Sequence, residues 1–190
     1  YGLFVVTAKE GEKDNGCITN TAGQVTTTPN RITLAVNKNN YTHDMILRTG
    51  VFNVSILSEK AVFDTFRHFG FQSGRDVDKF ADYGSAKRSA NGLYYITEGT
   101  NAYLSAKVVG TMDLGTHTLF LADVTDGEVL DSAASATYAY YHSNIKPAPA
   151  KEEKKGWRCK ICGYIYEGDV LPEDFICPVC KHGAADFEKI

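Results

Sequence analysis

Leu3-Phe4-Val5-Val6-Thr7 opens the chain as a run of β-favouring side chains, and GEKDNG, from Gly11 to Gly16, follows with turn residues. A second strand is expected from about Cys17, carrying several threonines. Arg31-Ile32-Thr33-Leu34-Ala35-Val36 follows Pro29 as another. Val51 to Leu57 alternates apolar and polar positions with the period of two that a strand imposes. Ala102 to Thr111 and Thr116 to Val124 read as an antiparallel pair around a glycine turn. Two helices interrupt these strands. One runs from about Thr42 to Arg48 with Gly50 as its stop. The other runs from Ser58 as N-cap, with Glu59 in the first turn, to Phe69. Many strands at short spacing with few helices predict a mainly β fold, a barrel or a sandwich.

The pattern breaks at KPAPAKEEKKG, Lys146 to Gly156. Its two prolines, six charges and lack of any large apolar residue give it nothing to bury. It is expected to be a flexible linker (146–156) between a long domain (1–145) and a short one (157–190). Charge changes the picture by exclusion: 20 Lys and Arg against 23 Asp and Glu give a net charge of −3. Nucleic acid is not an expected partner, because phosphate binding needs a basic surplus. The chain contains no run of 18 apolar residues, so no membrane-spanning helix is expected. No basic segment precedes the first apolar run, so no secretory leader is expected either. A reducing, cytoplasmic setting fits the cysteines, four of which crowd into the short domain.

Those four are Cys159-x2-Cys162 and Cys177-x2-Cys180, with fourteen residues between the pairs. Each C-x-x-C puts two thiolates on one tight turn, and two such turns make a tetrahedral four-sulfur cage. A 34-residue domain cannot rest on its apolar core alone, so bound metal has to contribute to its folding. Spacing by itself favours a structural zinc. The segment WRCKICGYIYEGD to LPEDFICPVCKHGAADFEKI, however, resembles rubredoxin. It has the C-x-x-C-G-Y and C-P-x-C turns and the aromatic set Trp157, Tyr164, Tyr166, Phe175 and Phe187. The short gap between the pairs is closer to the rubredoxin-like tails of rubrerythrins, and His182 stands where glycine is more usual. The resemblance implies one iron cycling between Fe(III) and Fe(II), with Cys159, Cys162, Cys177 and Cys180 as ligands.

The long domain has no G-x-G-x-x-G and no P-loop. Two segments attract attention instead: the polar run Thr19-Asn20-Thr21-Ala22-Gly23-Gln24, and Asn37-Lys38-Asn39-Asn40-Tyr41-Thr42-His43 at a strand-to-helix junction. Read by pattern alone, the first is an exposed threonine-rich edge and the second an asparagine-rich turn with a helix cap. Resemblance reverses both readings. YGLFVVT, NGCITNTAGQVT, PNRITLAVNKNNYTH, GVFNVSILSE, SGRDVDKF and GTHTLFLADV occur in the order found in the flavin reductase family, which has an FMN-binding split-barrel fold. The resemblance implies FMN and a homodimer with the flavin near the subunit interface. Thr19, Asn20, Thr21, Ala22, Gln24 and Val25 would lie along the ring. Asn37, Lys38, Asn39, Thr42 and His43 would serve the ribityl phosphate end. Lys79 and His117 would approach the flavin, His117 as a candidate catalytic proton donor or as a satisfied barrel histidine. Cys17 is expected to be a small buried hydrophobe, Arg75 and Asp76 a structural pair, and Tyr138, Tyr140 and Tyr141 packing residues.

The fusion resembles the high-molecular-weight rubredoxins of anaerobic bacteria. It implies that NAD(P)H gives a hydride to FMN, which feeds the iron one electron at a time. An external redox partner, such as a flavodiiron-type oxygen or nitric oxide reductase, would receive them. An eleven-residue linker spans about 17–20 Å root-mean-square, which keeps the iron domain within reach. Three other readings stand beside this one: a non-catalytic shuttle reduced by another protein, a free-flavin reductase with a zinc-ribbon tail, and an FMN-dependent sensing module.

Overall fold

The computed structural model describes residues 1–147 and 156–190, so most of the expected linker, 148–155, lies outside the described residues. The described residues fall into two compact units, the first Tyr1–Pro147, the second containing residues 156–190.

The first unit is built on a seven-stranded antiparallel sheet. Its strands are β1 (Phe4–Glu10), β2 (Lys13–Thr19), β3 (Gly23–Thr27), β4 (Asn30–Asn37), β5 (Val51–Leu57), β8 (Thr100–Asp113) and β9 (His117–Val129). A separate hairpin, β6 (Ala86–Arg88) and β7 (Tyr94–Ile96), packs beside it. The order across the large sheet is β2-β1-β5-β8-β9-β4-β3. Strands β2 and β3 are therefore consecutive in sequence yet lie on opposite edges. Only Asn20, Thr21 and Ala22 join them, and four Cα steps reach at most about 14 Å. The sheet must curl until its edges almost meet, leaving a barrel with one seam, and the polar run singled out in the sequence bridges that seam. The Thr21 hydroxyl ties the bridge down by donating to the Ala35 carbonyl on β4 at 2.6 Å.

Both faces of β1 are covered, and its alternation sorts the side chains. Val6 and Ala8 join Leu34, Phe52, Val54 and Phe120 in one apolar cluster, while Leu3 and Val5 join Leu57, Phe66 and Phe69 in another. Phe120 is fully buried. Phe120→Ala is expected to destabilise this unit by about 3–5 kcal/mol in chemical denaturation, the range for deleting a buried ring.

The expected elements differ in detail from the observed ones. The GEKDNG turn shrinks to residues 11–12, with Gly11 at φ 57°, because Lys13 to Gly16 pair with β1. The first helix, α1, is Tyr41–Thr49 and stops where expected, at Gly50 (φ 71°), whose N–H returns to the Ile46 carbonyl. The second, α2, is Phe63–Gly70, not a helix from Ser58. Gly16 seats it closely: a Cβ there would lie 3.1 Å from the Phe69 ring. The Ser58 N–H bonds the Gly99 carbonyl at 2.8 Å and its hydroxyl accepts from the Lys60 N–H at 3.3 Å, so its capping chemistry serves a turn. The short β6–β7 hairpin and a π-helical turn over Tyr141–Ile145 lacked enough periodicity to be seen in sequence. Tyr141 is a packing residue, 4.5 Å from Phe66 between ring centres.

The second unit is a three-stranded sheet of β10 (Trp157–Cys159), β11 (Ile165–Tyr166) and β12 (Phe187–Lys189), in the order β11-β10-β12. Its core is small: Cys159, Cys177 and Phe187 are the buried members, with Trp157, Tyr164, Tyr166, Leu171 and Phe175 packed around them. Among the described residues, no helix is long and apolar enough to cross a membrane.

Candidate metal centre and flavin cleft

The two cysteine turns are copies of one another. Gly163 N–H donates to the Cys159 carbonyl at 2.9 Å, and Lys181 N–H donates to the Cys177 carbonyl at 2.9 Å. Cys159 N–H reaches the Tyr164 carbonyl, and Cys177 N–H the His182 carbonyl, each at 2.8 Å. Both turns close on a left-handed residue, Gly163 at φ 77° and Lys181 at φ 63°. This backbone aims N–H groups at the sulfurs: Ile161 and Cys162 toward Cys159, Val179 and Cys180 toward Cys177, Tyr164 toward Cys162 and His182 toward Cys180.

The four sulfurs lie within 4.8 Å of one another, with Cys159 to Cys180 at 3.6 Å and Cys162 to Cys177 at 3.5 Å. A tetrahedron of thiolates about 2.3 Å from a metal has edges of about 3.8 Å, so the cage fits a metal with little adjustment. Electrostatics points the same way. Burial opposes ionisation at Cys177, but the N–H groups of Cys180 and Val179 outweigh it and bring the thiol down to about 6. At Cys180 the His182 N–H favours the thiolate, yet burial and the other three sulfurs push its pKa up to about 12. Without a cation the last thiolate is too costly to form. All four sequence-expected ligands are brought together.

The long unit holds a polar cleft of about 300 Å³ between β2, the start of α1 and the 69–74 segment, and Lys79 lines it. Its floor is a short relay. The Asn15 amide donates to the Thr42 hydroxyl at 3.0 Å, and Thr42 in turn bonds the Cys17 thiol, whose pKa is nonetheless driven up by burial. Lys79 is 3% exposed, and its ammonium donates to the Gly16 carbonyl at 2.8 Å and the Phe69 carbonyl at 2.9 Å. Among the described residues it has no carboxylate partner, one of its three donors is left over, and burial depresses its pKa. The Asn40 side chain accepts from no N–H of α1 and the His43 N–H bonds the Asn40 carbonyl at 3.0 Å, so the Tyr41 and Thr42 N–H groups are the ones the helix start leaves to the same cleft. A buried unpaired cation beside a bare helix N-terminus is a donor set that suits a phosphate.

The other expected flavin residues fall into two groups. Asn37 and His117 are cross-strand neighbours on β4 and β9, and Lys38 N–H bonds the Thr116 carbonyl at 3.0 Å. The Asn37 side chain accepts from the Asn39 N–H at 2.9 Å. The Lys38 ammonium is committed to Asp113 at 2.7 Å, whereas Lys79, buried and without a carboxylate partner among the described residues, lines the cleft beside the helix start. His43 is buried, with Nε2 against the Thr118 hydroxyl at 2.8 Å and Nδ1 against Asp44 at 3.0 Å, and is therefore fixed as scaffold. His117 is half-buried with Nδ1 at 2.9 Å from the Thr116 hydroxyl. The second group, at the seam, comprises Thr19, Asn20, Thr21, Ala22, Gln24 and Val25. There Ala22 and Gln24 edge a mostly aliphatic slot of about 330 Å³ formed with Phe4, Ile32, Val54 and Leu104. The Gln24 amide donates to Asn30 at 3.0 Å, and Val25 is exposed.

Sequence reasoning missed Asn15, Gly74 and the Arg75 anchor. Arg75 bonds Asp44 at 2.6 Å and covers the Tyr41 ring at 4.9 Å, instead of pairing with Asp76. This pins the 71–79 segment to α1. Gly74 lies so close to Asn15 that a Cβ would be 2.1 Å from its amide oxygen. Gly74→Ala is expected to push the segment outward and weaken flavin retention several-fold, measured as cofactor lost on dialysis.

Residues 1–149 match the flavin reductase like domain model. The chain belongs to the flavin reductase family. Residues 157–188 match the rubrerythrin, rubredoxin-like domain model. The whole chain is 38% identical, over 96% of the relative's length, to high molecular weight rubredoxin of Moorella thermoacetica. Over 75% of this chain and 83% of the relative it is 38% identical to the ferric-chelate reductase (NAD(P)H) of Archaeoglobus fulgidus. Among solved structures, the NADH:FAD oxidoreductase of Streptomyces globisporus C-1027, in complex with NAD and FAD fragments, superposes with a TM-score of 0.61 at 25% identity. That match covers 70% of this chain and 78% of the other. As a flavin reductase family member with a rubredoxin-like domain, the chain is a flavin-using, NAD(P)H-dependent oxidoreductase with a four-cysteine iron site.

Proposed function

We propose that the chain carries electrons from NAD(P)H through FMN to its own iron and then to an external protein acceptor. The observation that carries the reading is the pairing, in one chain, of a phosphate-suited cleft at Lys79 with a preformed four-thiolate cage. A bound flavin would take up two electrons as a hydride and give them up singly, which suits a metal that changes by one. In this reading the two domains are 1–145 and 157–190, joined over 146–156.

Lys79 and the α1 N-terminus hold the phosphate, with Thr42 and Asn39 beside them. The seam residues Thr19 to Val25 line the ring, whose apolar face the aliphatic slot accepts. His43, locked between Asp44 and Thr118, keeps α1 in register. His117, at the start of β9, is the candidate proton donor; His117→Asn is expected to slow flavin reduction by about 10²-fold, the lower end for general acid loss. The exposed Val25 edge suits a homodimer seam beside the ring, and the acceptor is a redox protein such as a flavodiiron-type reductase, both acting in the cytoplasm.

The test replaces iron with zinc in the full chain. Zinc-loaded protein should let NADH bleach the flavin at the normal rate and should lose steady-state reduction of a one-electron protein acceptor. Equal turnover with either metal would take the iron off the route and favour a flavin reductase whose tail only binds a partner.

A further inference from the structure

Residues 71–85, between α2 and β6, form no helix or strand, so nothing regular holds Lys79 in place. Two consecutive residues of α2 grip it instead, at opposite ends. The Phe69 carbonyl accepts from its ammonium at 2.9 Å, and the His68 ring donates from Nε2 to its main-chain carbonyl at 2.7 Å. The Gly16 carbonyl accepts from the same ammonium at 2.8 Å. Both ends of a long, flexible side chain are thereby fixed.

The surroundings of His68 set the ring for this bond. A carbonyl only accepts, so Nε2 carries the proton, and in the neutral ring Nδ1 is then an acceptor. The Gln72 amide nitrogen suits that tautomer: it donates to the His68 carbonyl at 2.9 Å and lies 3.5 Å from Nδ1. The ring stacks on Tyr83, with centroids 4.9 Å and planes 26° apart, and meets Phe69 edge-on at 4.7 Å. Burial and the Glu98 carboxylate push the Tyr83 pKa up to about 12, so this platform stays neutral. The carbonyl that His68 serves has little access to water, since Lys79 is 3% exposed. Without the donor it would be left unsatisfied, and the main chain would have to shift to recover a partner.

We infer that His68 is the positioning residue of the phosphate site: its Nε2–H fixes the main chain of Lys79, so that the one ammonium proton left over stays aimed into the cleft. His68 acts through Lys79 and not on the flavin itself. The cation is thus held ready before the phosphate arrives, and binding does not have to order it. The inference rests on the reading that Lys79 holds the flavin phosphate.

The test measures FMN and riboflavin affinity side by side on the zinc-loaded full chain, by quenching of flavin fluorescence. His68→Phe keeps a ring on Tyr83 and removes the donor. FMN affinity should fall about 3- to 10-fold while riboflavin affinity hardly moves, and the phosphorus resonance of bound FMN should shift. In a Lys79→Met background the same change should take nothing further from the FMN preference, because the group it positions is gone. His68→Ala should also lose the preference and regain it when imidazole is added. The place of the ring adjoins a cavity of about 560 Å³ rimmed by the exposed Asp64, Gln72 and Glu98, so imidazole can enter and donate to the same carbonyl. Phe66→Leu is the control for general loosening of α2: Phe66 is buried against Tyr141, and its loss should lower stability with the FMN preference intact. Equal losses of both flavins in His68→Phe, no recovery with imidazole, or a further drop in preference in the Lys79→Met background would overturn the inference. So would a preference that falls as far in Phe66→Leu. If Lys79→Met itself leaves the preference unchanged, the phosphate reading fails instead.

Discussion

Cys177→Ser is expected to remove both the metal and the fold of the second unit while leaving the first unit intact. Among the described residues, the unit's buried core consists of Cys159, Cys177 and Phe187, which is far too little apolar surface to hold 35 residues in place. Structural zinc in zinc-finger peptides supplies about 10–16 kcal/mol of apparent binding free energy at neutral pH, and metal bound in this cage contributes to folding in the same way. Serine offers neither the soft sulfur nor an easily ionised group, and Cys177 is the thiol whose N–H donors bring it lowest, to about 6. The amide dispersion of residues 156–190 should collapse and the ferric–thiolate absorption should vanish, with an unchanged unfolding transition for residues 1–147. Dispersed tail resonances in the metal-free variant would show that the apolar core suffices without metal.

Lys79→Met is the second large effect, and it is expected to separate FMN from riboflavin. The side chain keeps its length but loses the charge, and the phosphate loses its buried partner. A charge-assisted hydrogen bond contributes about 1.5–3 kcal/mol, so FMN affinity should fall by about 10- to 150-fold. Riboflavin, without the phosphate, should lose far less, so the preference for FMN largely disappears. Because Lys79 also caps the Gly16 and Phe69 carbonyls, Lys79→Arg is the companion that retains the charge and should keep the FMN preference. The pH dependence has a definite sign. Burial lowers the Lys79 pKa below 10.5 in the free protein, and the phosphate dianion raises it again when FMN binds. FMN affinity is therefore full between the second ionisation of the phosphate, at about pH 6, and the depressed Lys79 value, and declines as pH rises through that value, whereas riboflavin affinity stays flat. Equal losses for both flavins would place the phosphate elsewhere.

The second unit was the most legible part of the sequence, because ligand type and spacing alone dictate a cage. Even so, the geometry of the sulfurs does not distinguish zinc from iron; it took the residues surrounding the cysteines to do that. The strands of the first unit could be read from alternation in β5 and from the β-branched run of β4. The seam could not be read from any local signal, since it follows from β2 and β3 lying at opposite edges of a seven-stranded sheet. Ser58 misled because a hydroxyl that caps a turn looks the same in sequence as one that caps a helix. Lys38 and Lys79 were equally plausible phosphate ligands by residue type. Only the fold shows that one is paired to Asp113 and the other is buried without a carboxylate partner among the described residues. Asn15 carried no signal, because its importance comes from Gly74 and Thr42, 59 and 27 positions away.

The most direct test of the relay is an anaerobic stopped-flow titration of the FMN- and iron-loaded chain with NADH and NADPH. Flavin absorption should bleach first, ferric–thiolate absorption should follow in the same reaction, and Cys177→Ser should abolish only the second phase. Two chromophores that neither nucleotide reduces would make the chain a carrier fed by another enzyme. Iron that stays oxidised beside a fully reduced flavin would rule the relay out.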